Sequence, residues 1–178
     1  DGPIVQGNDG GPDVRFIDAM VRCIAAKYPV DKNRIYNGGS SAGATMTSRN
    51  MMFNSELFAG GIGASGNFQY LGQIPIQPLD PIAMDDSIIV LAWGGTEDRY
   101  GSSDYSVETK LASQYYARQT NVVTVSCSGR HGHPWPKAFG PWAAKTVLSH
   151  PKGTPVENFV LTSPPQGFSC VLGAYTNH

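Results

Sequence analysis

The segment Gly39-Ser40-Ser41-Ala42-Gly43 matches Gly-x-Ser-x-Gly, the frame in which a tight strand-to-helix turn lifts a serine hydroxyl clear of a sheet as a nucleophile. The reading is steric: side chains at the flanking positions would collide with neighbouring backbone, so glycines at 39 and 43 keep the turn open. Ser40 is the rival hydroxyl, without the symmetric glycine frame. A serine hydroxyl is a weak nucleophile until a base takes its proton, and the base needs a carboxylate to orient it. Of the four histidines, His150 and His178 lie in or near the tail, whereas His131 and His133 sit together in Arg130-His131-Gly132-His133-Pro134. His133 is the candidate base and His131 its alternative. Asp98, in Gly94-Gly95-Thr96-Glu97-Asp98, is the candidate orienting acid, with Glu97 beside it as the rival. The Ala42 amide, at the start of the following helix, is the candidate donor to a developing oxyanion.

These groups act together only if the fold delivers them to one place. Val14, Ile17, Val21, Ile24 and Tyr28 recur at steps of three and four, which predicts an amphipathic helix over 13–28 ending at Pro29. Residues 34–37 read as a strand entering Gly38-Gly39, and residues 42–53 as a helix. Residues 59–64 read as a second, glycine-rich strand. The unbroken run Ile88-Ile89-Val90-Leu91 within 87–93 is the pattern of a strand buried on both faces. A helix is expected over 104–118, a strand over 122–125 and a last helix over 142–148. The proline-rich tail is read as mostly loop, with a short strand at 159–161, and residues 1–11, with four glycines, read as an irregular loop. Alternating strands and helices predict an α/β layered fold with a parallel sheet. Asp98 and His133 each follow a predicted strand, at the edge where open parallel sheets place their sites. The order Ser41, Asp98, His133 is the one that α/β-hydrolases use, and chymotrypsin and subtilisin use others.

The chain resembles the secreted esterases related to polyhydroxybutyrate depolymerases, feruloyl esterases and acetylxylan esterases, within the α/β-hydrolase superfamily. The resemblance runs from about Asp9 to Ser149. It is carried by Asp13-Val14-Arg15-Phe16-Ile17, Tyr28-Pro29-Val30-Asp31, Arg34-Ile35-Tyr36, Gly39-Ser40-Ser41-Ala42-Gly43, Gly94-Gly95-Thr96-Glu97-Asp98 and Gly132-His133-Pro134-Trp135-Pro136. The last is the most specific, since such esterases carry Gly-His-x-Trp-Pro around their base. The resemblance implies an α/β-hydrolase fold with a mostly parallel central sheet flanked by helices, Ser41 as nucleophile, Asp98 as acid and His133 as base. It implies hydrolysis of carboxylic esters without a cofactor, on a polysaccharide-linked ester (feruloyl or acetyl) or a polyhydroxyalkanoate polyester, outside the cell. Such enzymes also carry strands before the helix at 13–28, with a His-Gly loop that supplies a second oxyanion donor. Nothing before Asp13 matches that loop, so residues 1–149 are read as a partial catalytic domain, with 150–178 an irregular extension packed on it. Trp135, Trp93, Tyr100 and Ser40 are the candidate substrate contacts. A non-catalytic binding module on the same scaffold, and a peptidase or lipase on the same fold, are the rival readings.

Composition excludes other classes. Thirteen basic against fourteen acidic residues give a net charge of -1, with no Lys/Arg run to neutralise a row of phosphates, so nucleic acid is not an expected partner. No stretch approaches the roughly 18 apolar residues of a membrane span, and Asp1-Gly2-Pro3-Ile4 lacks the layout of a signal peptide. Cys23, Cys127 and Cys170 show no zinc or redox spacing, so no metal is expected. Cys127 and Cys170 both lie outside the predicted helices and are the favoured bridge, against three reduced thiols as the alternative.

Overall fold

The apolar run around Ile89 forms the centre of a sheet because no residue in it tolerates water on either side: Ile88, Ile89, Val90, Leu91, Ala92 and Trp93 are all fully buried. The computed structural model describes residues 11–68, 70–71, 74–75 and 83–175, so the loop expected over 1–11 lies, but for Gly11, outside the described residues, as does His178. In chain order the strands are β1 (Tyr36–Ser40), β2 (Gly60–Ala64), β3 (Tyr70–Leu71), β4 (Ile74–Pro75), β5 (Ala83–Trp93), β6 (Arg99–Tyr100), β7 (Ser103–Asp104), β8 (Thr120–Ser128) and β9 (Ser169–Leu172). The helices are α1 (Pro12–Lys27), α2 (Ala42–Phe53), α3 (Tyr105–Tyr116) and α4 (Phe139–Leu148). The main sheet has the order β1-β2-β5-β8-β9, and its first four strands are parallel.

Successive side chains of β5 point to opposite faces. Ile89 and Leu91 pack with Met51 and Met52 of α2 and with Ala112, Tyr115 and Tyr116 of α3, and Ile17 and Val21 of α1 join this layer. Ile88, Val90 and Ala92 pack on the other face with Phe139, Ala143 and Val147 of α4 and with Val156, Phe159 and Leu161 of the tail. The result is three layers, helix on sheet on helix. No helix of the described residues is long and apolar enough to cross a membrane.

Several expectations are corrected here. The inward stripe of α1 is shorter than its periodicity predicts: Val14 is buried, but Ile24 and Tyr28 are exposed, and the helix packs chiefly on α2. The strand expected at 34–37 starts two residues later, after a single 3₁₀ turn at Lys32–Arg34, and runs through both glycines to Ser40. In the tail, residues 159–161 are not a strand, and Phe159 and Leu161 instead fill the α4 layer. The tail's strand is β9, which pairs antiparallel with β8, with Cys127 opposite Cys170 and the two joined by a disulfide. Cys23 is a free, exposed thiol.

His150, just past α4, is buried at 1% exposure, and its Nε2 has no hydrogen-bond partner. Burial pushes its pKa below the ordinary histidine value, against an opposing hydrogen bond and charge from Asp86. A histidine held neutral in the fold binds its proton more readily in the unfolded chain, so folding stability falls as pH drops below the unfolded value near 6.5. The limiting slope for one proton is about 1.4 kcal/mol per pH unit. Denaturant titrations at pH 7.5, 6 and 5 are expected to show this loss in the wild type and a shallower loss in His150→Gln; equal slopes would place the acid sensitivity elsewhere.

Candidate active site

Ser41 is the single residue between the end of β1 and the start of α2, with φ 57° and ψ -119°. Non-glycine residues rarely take this conformation, and it persists only where the surroundings enforce it. The Ser41 N–H donates to the Ala64 carbonyl at 2.9 Å, extending the β1–β2 ladder one residue past the strand. A Cβ on Gly39 would lie 2.5 Å from the Gly43 carbonyl carbon and 2.7 Å from its Cα, so position 39 has no room for a side chain. The expectation for Gly43 is corrected: a Cβ there would meet nothing within 4 Å. Gly43 is the surface on which Gly39 rests, whereas Gly39 must be bare. Ala42 is the first residue of α2, so its N–H is one of the helix-start amides left without an intrahelical acceptor. Ser40, the last residue of β1, is exposed, as Ala42 is.

The strand register explains how distant residues share one edge. Ser40 is opposite Ala64, Ala64 opposite Ala92 and Ala92 opposite Cys127. The chain leaves each of these parallel strands within a residue or two of that row, so Ser41, Ser65, the loop carrying Asp98 and the loop carrying His133 emerge along the same carboxyl edge.

The Asp98 carboxylate is fully buried and makes three hydrogen bonds. Oδ1 lies 3.0 Å from His133 Nδ1, and Oδ2 accepts from the Gly94 N–H at 2.7 Å and from the Ser65 hydroxyl at 2.6 Å. With Asp98 ionised, Nδ1 donates and Nε2 is left to act as base. Glu97 is exposed, and the structure therefore brings Asp98 rather than its neighbour to the imidazole. His131 points elsewhere: its ring packs on Phe168, and neither of its nitrogens has a partner. Gly94 ties the two loops together. Its carbonyl accepts from the His131 and Gly132 amides at 3.0 and 2.9 Å, and a Cβ at position 94 would overlap the Gly132 carbonyl. The Ser41 hydroxyl makes no hydrogen bond to His133 in this structure, a contact that often tightens only with substrate in place.

Two tyrosines stack on the His133 ring. Tyr105, buried, lies at 4.7 Å and 14°, and Tyr100, 73% exposed, at 5.9 Å and 27°. Trp135 is partly buried, edge-on to Phe139 at 4.8 Å. Trp93 is corrected as a substrate contact: it is 2% exposed, packed edge-on to Tyr175, and presents no face to a ligand. Among the described residues no group of three or more His, Cys, Asp or Glu is placed to hold a metal ion. The sequence reading did not single out Ser65, Gly94 or Tyr105. The first had a signal, a run of small residues ending the strand next to the nucleophile's; the others are defined by packing alone.

A buried Asp–His pair and a strained serine on one edge of a parallel sheet can be set beside known proteins. The chain is 15% identical to a Bacillus cereus carboxylesterase structure over 70% of its length, with a TM-score of 0.51, a likeness of fold alone. Far nearer are the structures of native pOPH and sOPH, at 36% and 39% identity, each with a TM-score of 0.85 over 95% and 96% of the chain. The fold is that of the α/β-hydrolases. In sequence the chain is 39% identical over 206 residues to the oxidized polyvinyl alcohol hydrolase of Sphingopyxis sp. (strain 113P3), and 35% identical over 208 residues to that of Pseudomonas sp.. The alignments take in 96% and 95% of this chain but 56% and 55% of the relatives, so the chain spans about half their length. The native pOPH and sOPH structures are covered to 61% and 63%. A serine-to-alanine variant of pOPH has been solved as a complex with pNPB, at 34% identity and a TM-score of 0.81, over 93% of this chain and 61% of that one. No family model matches the chain.

The two glycines of this α/β-hydrolase turn make a direct test. Gly39→Ala is expected to displace the Gly39–Gly43 contact and lower the melting temperature by several degrees, whereas Gly43→Ala is tolerated and, as an early helix position, gains about 0.5–1 kcal/mol. Thermal denaturation of both variants checks this; similar losses at both positions would refute it.

Proposed function

We propose that this chain carries the nucleophile, base and orienting acid of a carboxylic ester hydrolase that works through an acyl-enzyme. The observation that carries the reading is the hydrogen bond of buried Asp98 to His133, on the sheet edge from which Ser41 is lifted. In the proposed reaction Ser41 Oγ attacks the carbonyl carbon while His133 Nε2 takes its proton. The negative oxygen that forms is met by the Ala42 N–H, one of the amides at the start of α2 that has no intrahelical acceptor. Protonated His133, held by Asp98, gives its proton to the leaving alcohol as the C–O bond breaks. Water, deprotonated by the same Nε2, then attacks the acyl carbon, and the acid leaves as the proton returns to Ser41. No cofactor enters these steps.

The substrate is proposed to be a carboxylic ester borne on a polymer, whose alkoxy group leaves as the alcohol. Two relatives are called oxidized polyvinyl alcohol hydrolases, and the exposed ring of Tyr100 beside His133 offers a flat, open surface rather than an enclosed acyl pocket. The same ring suits the aromatic group of a feruloyl ester, which keeps feruloyl and acetyl esters of plant cell-wall polysaccharide as a second reading, with polyhydroxyalkanoate polyester beside it. Tyr100, Trp135 and Ser40 are proposed to contact the substrate. Action outside the cell is proposed as well, supported by the Cys127–Cys170 disulfide, a bond that persists in oxidising compartments.

Hydrolysis of nitrophenyl butyrate, methyl ferulate, oxidised polyvinyl alcohol and polyhydroxybutyrate by the protein would rank these substrates. Ser41→Ala is expected to lower turnover by at least about 10³-fold on whichever is cleaved. A fluorophosphonate probe is expected to label the wild type at Ser41 and to leave Ser41→Ala unmarked. A folded protein that neither labels nor hydrolyses any of the four would overturn the reading in favour of a binding module.

A further inference from the structure

Ser65 follows directly on β2, which lies between the strand that carries the nucleophile and the strand that leads to the acid, and it is 1% exposed. Its φ of 54° lies in the left-handed region, which glycine enters without strain and serine does not. Gly66 follows, so close to the start of α2 that a Cβ there would lie 2.7 Å from the Ala44 Cβ and 2.9 Å from the Thr45 amide nitrogen. A strained serine beside a glycine invites the question of what its side chain does. Its hydroxyl donates to Asp98 Oδ2 at 2.6 Å, on the oxygen opposite the one that faces His133.

We propose that Ser65 is a positioning residue of the active site, which holds the Asp98 carboxylate aimed at His133. The inference rests on the esterase reading above and extends it to a residue outside the triad. The backbone supplies the connection: Ser41 N–H donates to the Ala64 carbonyl and Ser65 N–H to the Ala92 carbonyl, at 2.9 and 2.8 Å. The same turn therefore braces the nucleophile through the backbone of Ala64 and the acid through the side chain of Ser65. A buried carboxylate must have its lone pairs filled by donors, and with two donors on Oδ2 the Oδ1 atom faces the imidazole. Removing the hydroxyl withdraws the positive end of its dipole from the pair, so the pair takes up a proton at higher pH. The titratable groups facing the imidazole are Tyr105 from α3 and Tyr100 from β6; Arg99, next in sequence to Asp98, is engaged by Asp104 at 2.7 Å, and Glu97 is exposed.

The test uses Ser65→Gly, which removes the hydroxyl and relieves the left-handed strain together, with Ser65→Ala beside it. Both are expected to lose about tenfold in kcat/KM through kcat, and to move its acidic limb to higher pH. The protonation of His133, followed by NMR, is expected to shift to higher pH in the same variants. A structural role alone predicts a lower melting temperature in Ser65→Ala with the limb and the His133 titration unmoved, and that result, or an unmoved titration in Ser65→Gly, overturns the inference. Should the wild type prove inactive while the His133 titration still shifts, the esterase reading fails and the role of Ser65 stands.

Discussion

One buried carboxylate organises the carboxyl edge of this sheet. Asp98 is fully buried, and an ionised carboxylate in such a place is tolerated only when its oxygens are filled by donors. The Gly94 amide, the Ser65 hydroxyl and the His133 ring fill them, and each comes from a different part of the chain. Meeting that requirement fixes the turn after β2, the loop after β5 and the loop after β8 relative to one another. Gly94 is where the constraint is tightest, because its N–H serves the carboxylate while its carbonyl takes two amides from the His133 loop.

The parallel register does the coarse positioning and the hydrogen bonds do the fine. Adjacent strands lie roughly 4.8 Å apart, so the nucleophile's strand and the acid's, separated by β2, are roughly 10 Å apart at the sheet. Asp98 and His133 must lean back across that gap towards Ser41, which loops can do and strand residues cannot. Ala64 at the end of β2 and Ala92 opposite it in β5 are small, buried residues beneath those loops. At the far edge β8 would be open, and the tail closes it with β9, anchored by the Cys127–Cys170 disulfide.

What was legible in the sequence was what short-range pattern encodes. The run Ile88-Ile89-Val90-Leu91 could only be a doubly buried strand, and Gly39-Ser40-Ser41-Ala42-Gly43 between a strand and a helix could be read as a lifted serine. The choice of Asp98 over Glu97 was open on type and spacing, and it is burial that separates them. Strand β9 was not legible because its pairing is with β8, more than forty residues away, and Ser-Cys-Val-Leu alone is too short to announce a strand. The hairpins β3–β4 and β6–β7, of two-residue strands, carry even less pattern. Gly43 was misread for a related reason: a motif records which residues recur, whereas only the backbone shows which of two glycines lies against the other. The role of the Ser65 hydroxyl, likewise, is defined by a partner thirty-three residues on.

Strain and burial balance on the same strands. Among the described residues four non-glycines have positive φ, and two of these, Ser41 and Ser65, directly follow the neighbouring strands β1 and β2 beneath the site. Each such conformation costs on the order of 1–3 kcal/mol. Each large apolar side chain buried in β5 contributes about 1.5–3 kcal/mol, so Ile88, Ile89, Val90 and Leu91 together outweigh both turns. The strained serines follow the strands that lie two places and one place from that run, and the ladder bonds of Ser41 and Ser65 to the Ala64 and Ala92 carbonyls tie them to it. A looser central strand would let both residues relax to ordinary backbone, withdrawing the Ser41 hydroxyl from the edge and the Ser65 hydroxyl from Asp98 in one movement. The fully apolar β5 is therefore as much a part of the site's chemistry as the polar groups that stand above it.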